Sequence, residues 1–340
     1  NEHFAQMCRK NNIVFIGPSL ENMSQLGDKE KTKRLMAEAG LPVIPGTKVL
    51  ASAEEAHAEA KKIGYPLLLK ARSGGGGRGI RLVKTEKELD SAYISAVSEG
   101  VAAFGDGAVY IEKYIFPARH IEIQILADEA GNVVCLGERD CSIQRKNQKL
   151  IEESPSPAID AATRAAIVKK VVRAVKKIGY VGVGTLEFLF DEKHNFYFME
   201  MNIRLQVEHT VTESLTGIDL VKWQIRVSSG IPLCFKQDDI HLNGSSIECR
   251  INAFAPGTVE FFHVPGGPFV RFDTFLMAGT KVTPYYDALL GKLIIHAGSR
   301  EEALRKMNAA LCELVIEGIP NNIEEQIEIV SSEKFMSGTY

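Results

Sequence analysis

Six cysteines lie scattered through the chain without a single Cys-x-x-Cys pair. This leaves no zinc motif and no disulfide framework, and the thiols read as reduced ones in a cytosolic chain. No apolar run approaches the roughly 18 residues of a membrane span, and the opening NEHFAQMCRK lacks a signal-peptide pattern. Charge of neither sign is in excess. A formal net charge of −3 argues against nucleic acid or an anionic membrane as partner. Internal repeats and low-complexity segments are absent. So is a Gly-Lys-Ser/Thr phosphate loop, as are the His-Arg-Asp and Asp-Phe-Gly motifs of protein kinases. No Ser, Cys and His constellation suggests a covalent enzyme intermediate.

At 340 residues the chain exceeds what one core usually supports, so two or three subdomains around a cleft are expected. Residues 30–39 read as a helix, and ASAEEAHAEAKKIG as another with Ser52 as N-cap and late lysines before Gly64. The next segment, YPLLLKARSGGGGRGIRLVK, holds five glycines in six positions between two strands. A dinucleotide fingerprint must open a helix, which IRLVK does not do. The segment reads instead as a glycine flap whose bare N–H groups can close over phosphates, with Lys70 on the strand before it. VYIEKYI and RHIEIQILAD are strands, the second alternating His120, Glu122 and Gln124 with isoleucines. A basic stretch follows with Arg139, Arg145, Lys146 and Lys149, of the kind that usually forms a solvated face. A long amphipathic helix, a shorter one over TGIDLVKWQIRVSSG and a strand-rich last third complete the chain. Ser299 and Glu302 have capping-box spacing at the start of the helix SREEALRKMNAALCEL.

The stretch FMEMNIRLQVEH alternates through its length. Met199, Met201, Ile203, Leu205 and Val207 share one parity, and Glu200, Asn202, Arg204, Gln206 and Glu208 the other. An extended backbone would bury the first set and present the second on one face. Such a row is ordinarily solvated, but asparagine is poor in strands, and two carboxylates flanking an amide and a guanidinium are unusual there. A hairpin turning at Lys193 and His194 would also place Glu187 opposite Glu200, which is destabilising unless positive charge lies between them. A magnesium ion is the simplest remedy, since it takes one or two carboxylates and completes its shell with substrate phosphates and water. Eight extended residues span roughly 26 Å, so the strand should end near Asn202 and Ile203 for the row to serve one site.

A flap, a lysine, paired acids and loose arginines are the parts of a phosphoryl-transfer site, where positioning and charge neutralisation do most of the catalysis. The acceptor expected is a small acid, giving an acyl phosphate. In order along the chain, KARSGGGGRGIR, ERDCSIQRKNQKLIEE, FMEMNIRLQVEH and ECRIN resemble biotin carboxylase, an ATP-grasp enzyme. The resemblance implies an α/β (α+β) ATP-grasp fold. It divides the chain into a remnant of an N-terminal Rossmann-like domain at 1–43, a lid with the glycine flap at 44–114, and the C-terminal ATP-grasp and biotin carboxylase region at 115–340. Of the first, it implies only a last strand, NIVFIG, and a helix before it. Bicarbonate would attack the γ-phosphate of ATP to give carboxyphosphate, with magnesium or manganese bound, and the carbon dioxide released would carboxylate biotin N1′. A separate biotin carboxyl carrier protein or domain would supply the biotin, because no Met-Lys-Met site is present. Carboxyltransferase subunits would complete the assembly, and a homodimer is compatible.

By the same resemblance, Lys29, Lys70, His120 and Gln144 would bind ATP, with Glu112, Lys113 and Ile115 against adenine and Gly75, Gly76 and Gly77 over the phosphates. Glu187, Glu200 and Asn202 would hold the metal. Lys149, Arg204, Gln206 and Val207 would form the bicarbonate pocket, with Glu208 as the base that deprotonates bicarbonate and Arg250 steadying the biotin enolate. Taken singly, Lys29 and His120 read as surface residues, and Arg250 as an ion-pair partner of its neighbour Glu248. Three departures stand out: Asn147 for His, Ile203 for Thr and Thr210 for Pro. The segment after INAF is also short. Two other readings stay open, an ATP-grasp ligase activating a different carboxylate and an inactive nucleotide-binding chain.

Overall fold

The computed structural model describes residues 1–73 and 79–340. It begins with three helices: α1 (Glu2–Lys10), α2 (Leu20–Leu26) and α3 (Lys29–Glu38). The side chains of Asn1, Ser19 and Asp28 accept the first free backbone N–H groups of these helices in turn. Residues 12–17, expected as a strand, form none. They pair with no other strand among the described residues, and Ile13, Val14 and Ile16 are exposed.

Next comes a unit with its own core: α4 (Ala53–Ile63), β1 (Leu67–Ala71), β2 (Ile80–Val83), α5 (Leu89–Phe104) and β3 (Val109–Lys113). Its three strands lie in the order β2–β1–β3, all antiparallel, and the two helices cover Leu67, Leu69 and Ile111. The strap that enters this unit is stitched at both ends. Phe198 N donates to Pro42 O at 2.7 Å on one side, and Lys113 N donates to Pro45 O at 2.8 Å on the other.

The remainder is built on β4 (Ala118–Ala127), β5 (Val133–Arg145), β6 (Gln148–Ser154), α6 (Ala161–Lys177), β7 (Gly182–Asp191), β8 (Phe196–Asn202), α7 (His209–Thr216), α8 (Leu220–Ser228) and β9 (Ser245–Asn252). After these come β10 (Gly257–Thr258), β11 (Phe261–His263), β12 (Val270–Thr274), β13 (Lys281–Val282), β14 (Leu289–Ala297), α9 (Arg300–Glu313), β15 (Val315–Glu317), α10 (Ile323–Ser331) and α11 (Glu333–Ser337). Eight of the strands form one antiparallel sheet in the order β12–β14–β9–β6–β5–β4–β7–β8. Alternation along β4 decides what each face does. Ile121, Ile123 and Ile125 join the core under α6, while Glu122 and Gln124 point the opposite way, toward the side that α7 covers. A second core under α9 and α10 gathers Ile247, Cys249, Leu293 and Ile295 from the other half of the sheet. The site lies where the polar face of this sheet meets the three-stranded unit.

Candidate active site

A cleft of about 900 Å³ separates the two sheets, with Lys70, Tyr110 and Glu112 on one wall and His120, Gln144, Lys149 and Glu187 on the other. The glycines expected over it, Gly75 to Gly77, lie outside the described residues. Lys29 reaches the cleft from the first turn of α3, and Lys33 one turn later, the i, i+4 spacing that puts both on one face. Lys33 was not singled out from the sequence, although that spacing was there to read.

Glu187 and Glu200 do face each other across β7 and β8, by a different route from a two-residue turn. The connection is longer, from Asp191 to Asn195 with His194 at φ 62°, and pairs Phe190 with Phe196. A register shift at Met199 then restores the Glu187–Glu200 pairing. Met199 consequently lines the cleft instead of the core, as does Val207, against the expectation from parity. The strand ends at Asn202 and α7 begins at His209, so the polar row curls around the cleft as its length required.

The chain itself supplies the positive charge between these acids. Lys29 Nζ lies 2.8 Å from Glu200. His120 Nε2 lies 3.0 Å from Glu187, which also accepts from Asn202 Nδ2 at 2.7 Å and Gln206 Nε2 at 3.0 Å. Burial pushes the Glu187 carboxyl up, but the hydrogen bond and charge of His120, with Lys149 behind it, outweigh this and hold it at about 2. Facing charge alone therefore does not demand a metal.

The donor chemistry does fit one. Glu187 and Glu200 offer carboxylate oxygens beside the Asn202 amide oxygen, which accepts no hydrogen bond from the described residues, and this all-oxygen set suits magnesium. Two tighter trios, His120–Glu122–Glu187 and Glu122–Cys141–Glu208, bring ligand atoms within 4.8 Å of one another. Their carboxylates are already engaged by Arg139 and Lys149.

Arg139 corrects the reading of the basic stretch. It is fully buried, opposite Glu122 in the β4–β5 pairing. Its guanidinium donates to Glu122 at 2.7 Å, Gln124 at 2.7 Å, Thr212 at 2.9 Å and Gln206 at 2.9 Å. An arginine directly opposite a glutamate on the inner face of a sheet is an ion pair, whatever its neighbours in sequence. Gln206, expected at bicarbonate, has both ends of its amide in this network. Lys149 lies 2.7 Å from Glu122, 2.5 Å from Glu208 and 3.6 Å from Glu187. Arg250 pairs with Glu208 at 2.8 Å and donates to Glu152 at 2.6 Å, so its ion partners differ from the neighbour Glu248. Glu208 is thus a buried carboxylate held between two cations at one end of the cleft.

The other expected residues are placed as follows. Glu112 lies between Lys33 at 2.8 Å and Lys70 at 2.5 Å. The Gln144 side-chain amide lies 2.8 Å from His120 Nδ1. Lys113 turns its side chain onto the carbonyls of Gly64 and Tyr65, leaving its backbone in β3, and Ile115 is half-buried just beyond that strand. Arg204 is exposed and bonds only to Leu205 O among the described residues.

Two family models match: carbamoyl-phosphate synthase L chain, ATP binding domain, over residues 28–236, and biotin carboxylase C-terminal domain, over 248–340. Biotin carboxylase 1 of Bacillus subtilis is 46% identical over the whole chain, which spans 78% of that protein. The biotin carboxylase domain dimer of Hydrogenobacter thermophilus 2-oxoglutarate carboxylase, solved with MgADP, ADP and bicarbonate, superposes with a TM-score of 0.97. It is 49% identical, covering 100% of this chain and 77% of that one. The Campylobacter jejuni biotin carboxylase in its β,γ-ATP complex also gives 0.97, at 48% identity, covering 100% of this chain and 78% of that one. The chain belongs to the biotin carboxylase family, ATP-dependent ligases of the ATP-grasp fold.

Within that family its departures have visible places. Asn147 is at the β5–β6 turn with φ 64°, a conformation asparagine tolerates well, and it lines the cleft. Ile203 packs at the edge of the core under α6. Thr210 is buried, and its hydroxyl donates to Glu248. Among the described residues no helix is long and apolar enough to cross a membrane.

Proposed function

We propose that this chain performs the first half-reaction of a biotin-dependent carboxylase, using MgATP and bicarbonate to carboxylate biotin carried on a separate protein or domain. One observation carries the reading most: Glu208 is fixed between Lys149 and Arg250 at the end of a cleft whose opposite wall bears Lys29, Lys33 and Lys70. Cations along the cleft suit a triphosphate, and a buried carboxylate beside two cations suits a small anion that must lose a proton. Lys29, Lys70 and His120 would neutralise phosphates as ATP arrives, each exchanging a carboxylate for a phosphate oxygen. Glu187, Glu200 and Asn202 would hold magnesium, which lowers the charge on the leaving phosphates when bound. Glu208 would take the bicarbonate proton, and Arg250 would face the biotin enolate.

The unit at 44–114 serves as a lid. Its own core and its doubly stitched strap at Pro42 and Pro45 support movement as one body. The remaining divisions of the proposal are 1–43 and 115–340. A homodimer is part of the proposal, as is a reducing compartment, in keeping with six unpaired cysteines.

Phosphate release from MgATP tests the reading. It should require bicarbonate and rise on adding free biotin. Equal rates with acetate or another carboxylate in place of bicarbonate would point to a different ATP-grasp ligase.

A further inference from the structure

Glu152 on β6 and Glu248 on β9 are directly opposite each other in the antiparallel register, and both are completely buried. Facing side chains of such a pair leave Cβ atoms about 4.5–5.5 Å apart. Each carboxyl has one oxygen in use. Glu152 Oε1 accepts from Arg250, and Glu248 Oε2 accepts from the Thr210 hydroxyl. The second oxygen of each, Glu152 Oε2 and Glu248 Oε1, has no hydrogen-bond partner among the described residues. Two buried, unsatisfied anionic oxygens on facing side chains are costly, and a hydrogen between them removes the fault on both sides at once.

We propose that Glu152 and Glu248 act as one acid that holds a single proton between these two oxygens, and that this proton fixes Arg250 on Glu208. Resting on the assignment of Glu208 and Arg250 to the reacting end, it makes the two glutamates positioning residues. With one proton shared, Arg250 lies between two monoanions, Glu208 and the pair. When the proton leaves to solvent, the pair carries two charges and draws the guanidinium toward Glu152. Lys292 feels the same change, since its Nζ is 3.9 Å from Glu248 while donating to Val207 O at 2.5 Å. Both lines from the pair thus end on residues of the reacting end.

The groups facing the pair are Arg250 from its own strand, Lys149 from β6, Cys141 from β5, Lys292 from β14 and Glu208 at the head of α7. His209 and Asp273 lie beyond, around Lys292. Desolvation pushes both glutamates up, with Arg250 and Lys292 opposing it incompletely. Thr210 opposes it as well by bonding the ionised form, and this donor is absent where the family motif has proline.

Infrared difference spectra of the full chain at neutral pH test the shared proton. The wild type should show the carbonyl stretch of a protonated carboxyl that is lost equally in Glu152→Gln and Glu248→Gln. Thr210→Val, a milder change that keeps the backbone, should move the alkaline disappearance of that band to higher pH, because the ionised form loses its donor. A band that survives both Gln variants overturns the proposal, as does one unmoved by Thr210→Val. The positioning role is read from turnover. Wild-type turnover should fall on the alkaline side as the proton leaves, whereas Glu248→Gln, whose amide replaces the proton, should stay within about threefold of wild type at neutral pH and lack that fall. Glu152→Gln should drop about tenfold by losing the charged contact to Arg250. An unchanged pH profile in Glu248→Gln overturns that role. Should biotin-dependent turnover be absent from the wild type while the band behaves as described, the assignment of function fails and the shared proton stands.

Discussion

Glu122 faces Glu187 across β4 and β7, and Glu152 faces Glu248 across β6 and β9, all four buried in one sheet. Burial pushes every one of them toward the protonated form, yet the first two end below the ordinary carboxylate value and the last two above it. The difference lies in the cations. Arg139 and Lys149 contact Glu122, and His120 with Lys149 flanks Glu187. Among the described residues, the other pair has Arg250 on Glu152 and only a distant Lys292 near Glu248. Burial sets the cost of a charge, and the number of touching cations decides whether it is met.

Glu208 stands between the two pairs, bonded to Lys149 of one and Arg250 of the other, so removing its charge has the largest expected effect. Glu208→Gln should lower turnover by about 10² to 10⁴, the usual contribution of a positioned base, while ATP and magnesium affinities stay close to wild type. Part of the rate should return at alkaline pH, where free carbonate needs no base. Parallel loss of folding and nucleotide binding would instead make Glu208 a structural bridge.

Arg139→Met breaks the first pair. It leaves Glu122 with Lys149 alone and should cost about 3–5 kcal/mol of stability, as for a buried ion pair that loses one partner. Denaturant unfolding with an unchanged m-value checks it. This residue also shows what the sequence hid. The segment RHIEIQILAD reveals its alternation, and so the face bearing His120, Glu122 and Gln124, but not the register shift between Ile123 and Ile125 that brings Arg139 instead of Glu138 opposite Glu122. Both hairpins join strands adjacent in sequence, and in both the irregularity was the hidden part. The glutamate pair was legible from the turn, while the bulge at Met199 was not. α7 was missed because the alternation ran on through Glu208 and masked the helix start. Lys33 was missed because one lysine on a charged helix looks like any other.

The two carboxylates assigned to magnesium sharpen the contrast. Glu187 is enclosed by His120, Asn202 and Gln206, whereas Glu200 is partly exposed and touches Lys29. Both Gln variants should weaken turnover at limiting magnesium. Glu187→Gln should also cost about 1–3 kcal/mol through unsatisfied donors, and Glu200→Gln about 0–1 kcal/mol. Equal thermal shifts would mean the network does not discriminate between them.

The pairs also oppose each other in pH. Glu187, held at about 2 against an ordinary 4.5, stabilises the fold above 4.5 and loses that contribution as pH falls toward 2. Glu152 and Glu248, held up, stabilise the fold below 4.5 and lose that contribution as pH rises into the neutral range. Unfolding free energy should therefore decline from pH 5 toward 8 by up to about 1.4 kcal/mol per pH unit for each proton involved, a slope that Glu248→Gln flattens. An identical slope in the variant would place its origin elsewhere.

Glu112 offers the smallest and most direct trial of the cation rule. It too is buried, and desolvation raises it, but Lys70 and then Lys33 bring it below the ordinary value. Lys33 comes from α3 and Lys70 from β1, so Glu112 is a bridge between the lid and the rest of the cleft wall. Lys33→Met removes one of the two cations while keeping the stem. Glu112 must then rely on Lys70, and ATP phosphates must compete harder for that same ammonium. The KM for ATP should rise severalfold, about 1 kcal/mol for one half-buried charge contact, with kcat nearly unchanged and the fold intact. A second variant separates competition from direct phosphate binding by Lys33. In Glu112→Gln the carboxylate no longer holds Lys70, so adding Lys33→Met should have little further effect on KM if Lys33 acts through Glu112. A full additive loss in the double variant would show that Lys33 contacts the nucleotide itself.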